Sequence, residues 1–100
     1  MSYDPGALNA ALAAAVGEDI ALVADLRIAF MESAERQLDL LRRAQSDANW
    51  ELAAWRLKGL AASFGLVHLM ALADEAADCV TGDPRILRQL RMALDRLQQG

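Results

Sequence analysis

The chain has 100 residues, is 55% hydrophobic and carries a formal net charge of -4; that length fits one domain spanning 1–100, and that hydrophobicity argues against disorder. It holds 21 Ala and 17 Leu against eight Val, Ile and Thr together, a mix that favours helix and starves a sheet of β-branched residues. No apolar run reaches the length of a membrane span, and no cluster of cations suits phosphate contacts, so neither a membrane nor a nucleic acid is an expected partner.

Asp4-Pro5 reads as an N-cap followed by Pro at the first helical position. The Ala-rich stretch 6–16 is then a short helix, stopped by Gly17. A longer helix is expected over 18–45, where Val23, Leu26, Phe30, Ala34, Leu38 and Leu41 recur every three or four residues as one apolar stripe. Glu18 and Asp19 at its start, and Arg42 and Arg43 near its end, suit the helix dipole. Ser46-Asp47 offers the next cap, for a helix over 47–64 closed by Gly65 as a left-handed residue. Its core side carries Trp50, Ala53, Leu57, Ala61 and Phe64. A fourth helix over 66–80 turns Leu66, Leu69, Ala73, Ala76 and Val80 inward. Gly82-Asp83-Pro84 supplies a stop, a cap and a helical start in three residues. The last helix, 84–98, has Ile86, Leu90, Ala93 and Leu97 inward. Short connections make sequential helices antiparallel neighbours. The expected fold is all-α, an antiparallel up-down-up-down four-helix bundle with a short extra N-terminal helix across one end.

One face of the third helix stands out. Measured from Trp55 at 100° per residue, Ala48, Glu51, Leu52, Lys58, Gly59 and Ala62 all fall within about 60°, opposite the core set. Trp55 is therefore expected in solvent beside a Lys, with a glycine one turn on. Gly inside a helix costs about 1 kcal/mol relative to Ala, and an exposed face tolerates that cost where another backbone must come close.

Residues 55–65, WRLKGLAASFG, resemble the signature of histidine-containing phosphotransfer (HPt) domains: His-x-Leu-Lys-Gly, with a second Gly six residues later. Leu57, Lys58, Gly59 and Gly65 stand in register. Gly17-Glu18-Asp19 resembles the family's entry to its second helix. Leu26 to Phe30 resembles the apolar stripe that follows, and Ala44 to Asp47 the approach to the signature helix. Leu66, Leu69 and Leu72 resemble the apolar positions after the second Gly, and Gly82-Asp83 the last break. The resemblance covers about residues 10–97. It implies the HPt-like bundle, with a response-regulator receiver domain or a sensor histidine kinase as partner.

The phosphorylated His of the family is Trp55 in this chain. An indole nitrogen has no available lone pair, so it forms no phosphoramidate. Leu60 stands where the family prefers Ser, and Ala77 where it often has Glu. The resemblance implies that Lys58 matches the Lys beside the phosphoryl group, and Gly59 the Gly that lets the receiver approach. The expectation is a non-enzymatic binding or regulatory module of two-component signalling, cytoplasmic, with no cofactor or metal. Its partner-binding face would comprise Glu51, Leu52, Trp55, Lys58, Gly59 and Ala62.

Blander readings stand beside this one. Trp55 can cover neighbouring side chains as partial core, Lys58 can be an ordinary solvated lysine, and Gly59 can serve tight helix packing. His68, the lone histidine, is an alternative phosphoacceptor. Its place just after Gly65, about 15 Å along the axis from Trp55, argues instead for a boundary residue. A generic helical interaction or dimerisation domain is the third alternative. Cys79 is the lone cysteine, so an internal disulfide is excluded, and one His with one Cys makes no structural zinc site. It is expected to pack as a small apolar residue. Asp74 and Glu75, and the Arg85, Arg88, Arg91 and Arg96 stripe, read as solvated charge. No basic flank precedes an apolar stretch at the N-terminus, so no secretory signal is expected.

Overall fold

Local chemistry sets each helix boundary in the computed structural model, which describes residues 7–17 and 19–99. The expected Asp4-Pro5 cap, the Gly6 start and the role of Glu18 lie outside those residues. Among the described residues there are five helices and no strand: α1 (Ala7–Val16), α2 (Ile20–Arg43), α3 (Asp47–Ser63), α4 (Val67–Asp78) and α5 (Pro84–Gln99).

Helix α2 begins at Ile20 rather than 18, because the Asp19 side chain accepts the amide of Leu22 and makes Asp19 the cap. It ends at Arg43, since Ala44 is extended, with ψ 133. Ser46 caps α3 by accepting the amide of Asn49. At the other end Gly65 has φ +63. There the Leu66 amide donates to the Ala61 carbonyl at 3.0 Å and the Gly65 amide to Ala62 at 3.1 Å. That double closure requires a residue at ease in the left-handed region, which is why glycine sits there. Asp83 accepts the amide of Arg85 at 2.9 Å and starts α5 at Pro84.

The fourth helix is shorter than the apolar pattern suggests. It ends at Asp78, and Cys79 is extended. Val80, expected inside, has therefore left the helix and is 76% exposed.

Helix α2 packs against α1, α3 and α5, and α4 packs against α3 and α5. One core fills the space between them. It takes Phe30, Ala34, Leu38 and Leu41 from α2 and Trp50, Ala53, Leu57 and Ala61 from α3, with Leu69, Ala73 and Ala76 from α4 and Ile86, Leu90, Ala93 and Leu97 from α5. Phe64 is half-buried and meets Phe30 edge-on, ring centroids 5.5 Å apart. Ala54 and Leu94 are also buried, beyond the narrow stripes of the sequence reading. A helix flanked by two neighbours needs a wider apolar arc than a single contact does.

Polar links between helices fasten the bundle. The Trp50 indole donates to the Ala76 carbonyl at 2.7 Å, joining α3 to the last turn of α4. Arg27 of α2 donates to Asn9 of α1 and to the Leu97 and Gln98 carbonyls at the end of α5. Arg91, expected to be solvated, instead forms a two-pronged pair with Glu35 across α2 and α5. The guanidinium fork matches a carboxylate, which gives this pair a defined geometry. That hydrogen bond is the main reason Glu35 titrates below the ordinary glutamate value.

Candidate functional site

The outward face of α3 follows directly from what the inward face buries. Once Trp50, Leu57 and Ala61 point into the core, the residues half a turn away must face water. Trp55 is 67% exposed and Leu52 47%. Glu51, Gly59 and Ala62 are exposed as well, and Lys58 is half-buried. All six residues expected on the partner face thus lie together on one helix, with Trp55 at the centre. A large aromatic this exposed contributes little to the core, so the reading of Trp55 as bundle cover does not fit.

A Cβ added at Gly59 would meet nothing within 4 Å. Tight packing against a neighbouring helix therefore does not account for this glycine. It leaves an open notch in the helix surface one turn after Trp55. Ser63, one turn further on, donates its hydroxyl back to the Gly59 carbonyl at 3.0 Å.

Lys58 is not a freely solvated lysine. Its ammonium meets Asp74 of α4 at 2.9 Å, a contact between partly exposed side chains. Asp74, read as simple surface charge, is instead the counter-ion of the residue nearest Trp55 on the α4 side. The signal for it lay in pairing the third and fourth helices antiparallel, which brings positions 58 and 74 to the same level. Both partners are partly exposed, so the pair is a weak, screened contact.

His68 lies in the first turn of α4 and is exposed. Eight residues of α3, about 12 Å of axis, and the Gly65 turn separate it in sequence from Trp55. It is not part of the α3 face. Cys79 is half-buried and packed against the core, and burial raises its thiol pKa, with Asp83 and Glu75 adding to the effect. A thiol held protonated in this way is a weak nucleophile. Among the described residues, no group of three or more His, Cys, Asp or Glu is placed to hold a metal ion.

The two flanks of α3 differ in charge, a feature not read from the sequence. The flank toward α2 carries Arg56, and a shallow groove there is also lined by Leu40, Arg43, Asn49 and Leu52. The flank toward α4 carries Asp47 and Glu51, with Asp78 beyond them. Among the described residues, no helix is long and apolar enough to cross a membrane.

Comparison with protein-family models, curated proteins and solved structures finds no match to this chain.

Proposed function

We propose that this chain is an HPt-like module that binds a receiver domain or a sensor kinase and transfers no phosphoryl group. In this reading α2 to α5 form an antiparallel up-down-up-down bundle and α1 packs across one end. The cross-links at Lys58–Asp74, Trp50–Ala76 and Glu35–Arg91 are compatible with antiparallel neighbours. The module works in the cytoplasm, where its partners reside, and acts by occupancy rather than catalysis.

The observation that carries the reading is Trp55. It occupies the position that matches the family's phosphoacceptor, stands 67% exposed on the helix surface, and has the open notch of Gly59 beside it. Indole chemistry removes the transfer step at this position, while an exposed Trp centred among small and apolar residues has the character of an interface anchor. Gly59 admits the partner's backbone. Lys58, already paired with Asp74, is a rim charge that affects association rate and salt dependence more than affinity.

The test titrates receiver and kinase domains encoded in the same genome against the wild-type chain, Trp55→Ala and Gly59→Gln, each variant first checked for retained helicity. Loss of a central anchor worth about 2 kcal/mol weakens binding roughly 30-fold. Wild-type binding by both folded variants overturns the assignment of this face. Incubation with phosphorylated receiver domains should leave the chain unlabelled. Acid-labile label that disappears in His68→Ala would instead assign phosphotransfer to His68.

A further inference from the structure

We infer that the groove between the end of α2 and the start of α3 is a second binding surface, and that it takes an acidic amphipathic helix of a protein partner. This goes beyond the proposed function: the groove shares Leu52 with the Trp55 face but runs along the α2 flank of α3, and it does not depend on what replaced the phosphoacceptor.

Leu40 of α2 and Leu52 of α3 are 40% and 47% exposed and line the same groove, with the buried Ala53 at its floor. Two large apolar side chains facing one concavity offer a seat for the apolar stripe of a short helix. Among the described residues that line the groove, the charged ones are Arg43 and Arg56. Arg43 shares Asp39 with Arg42, at 3.0 and 2.5 Å, so one acid serves two guanidinium groups. Arg56 pairs with no acid among the described residues. This end of the molecule is therefore locally positive in a chain whose net charge is -4.

The opposite flank of α3 supplies the contrast. There Asp47, Glu51 and Asp78 surround a shallow cleft, and an acidic segment would be repelled. One helix thus separates a basic, leucine-lined groove from an acidic one. Complementarity on one side and repulsion on the other select both the sign of the partner and the side it binds. Arginine suits the role, since its planar fork engages carboxylates with two hydrogen bonds.

The probe is a fluorescein-labelled synthetic amphipathic helix of about 15 residues, long enough to become helical on docking. Leucines at helical spacing are flanked by glutamates, and a control peptide has every glutamate replaced by lysine. Anisotropy and amide chemical shifts are followed on the full chain. Saturable binding of the glutamate peptide is expected, with shifts centred on Leu40, Arg43, Asn49, Ala53 and Arg56 rather than on Gly59 and Ala62, and weakening as salt rises. Arg56→Glu, an exposed position, should weaken it about tenfold. Arg88→Glu, an exposed position on α5, and Lys58→Glu, on the other flank, should each change it by about twofold or less. The inference is overturned by equal binding of the lysine peptide, by shifts centred elsewhere, or by an equal loss in Arg88→Glu. Failure of the glutamate peptide to bind overturns it too, as do groove shifts that follow protein concentration alone and so mark self-association. Receiver binding that persists in Arg56→Glu but fails in Trp55→Ala would leave the proposed function standing and separate the two surfaces.

Discussion

The two tryptophans provide a direct comparison of burial against exposure. Trp50→Phe keeps an aromatic in the core but removes the indole nitrogen and the rest of the second ring. Trp50 is 1% exposed, so the lost atoms are fully desolvated. At roughly 0.8 kcal/mol per buried methylene, about two methylene equivalents come to ~1.5 kcal/mol. The lost hydrogen bond to Ala76 adds about 1 kcal/mol. It adds no more, because the Ala76 carbonyl also accepts the Cys79 amide at 3.0 Å and is not left orphaned. The sum is about 2.5 kcal/mol, which at 4–8 °C per kcal/mol for a domain of this size lowers Tm by roughly 10–20 °C. Trp55→Ala should change stability by less than about 0.5 kcal/mol, as a surface substitution does. Thermal and urea unfolding followed by far-ultraviolet circular dichroism measure both. In Trp50→Phe the remaining tryptophan fluorescence belongs to Trp55 and should report a wet indole. If Trp50→Phe unfolds within about 0.5 kcal/mol of wild type, the indole does not lock α3 to α4 and the packing argument fails.

Two further outcomes follow from the same geometry. Gly59→Ala should stabilise the fold by up to about 1 kcal/mol, since the position is helical and the new methyl meets nothing; a destabilised variant in chemical denaturation would show that the notch is not open. Glu35→Gln should flatten the acid side of the stability curve. Arg91 lowers the Glu35 pKa from its ordinary value of 4.5, so the pair's stabilisation is complete above that value and is lost as pH falls through the lower folded value. The side chains are more than a third exposed, which limits the effect to under about 1 kcal/mol, and parallel acid-unfolding curves for the two proteins would refute it.

Helix existence was legible in the sequence because capping and apolar spacing agree at Ser46, Gly65 and Gly82-Asp83-Pro84. The α3 face was legible for a related reason: a helix with a strong core side has a determined outer side, so Trp55 and Gly59 could be placed by phase alone. What escaped was anything set by two helices at once. Val80 fits the apolar phase of α4, yet the chain turns extended at Cys79 before reaching it. Asp74 and Arg91 look like ordinary surface charges until α3 and α2 bring Lys58 and Glu35 opposite them. The Leu40–Leu52 groove likewise belongs to no single helix, and periodicity within one segment carries no information about it.

Arg27 draws together three parts of the chain that are far apart in sequence. Its guanidinium holds Asn9 on one side and the last carbonyls of α5 on the other, so one side chain links α1 to the end of α5. Fraying at α5 therefore frees a donor that α1 also depends on, and loosening of α1 returns the guanidinium to solvent. Opening of α1 and fraying of the last turn of α5 should therefore be coupled, and amides in those two segments should exchange with solvent together while the α3–α4 pair stays closed.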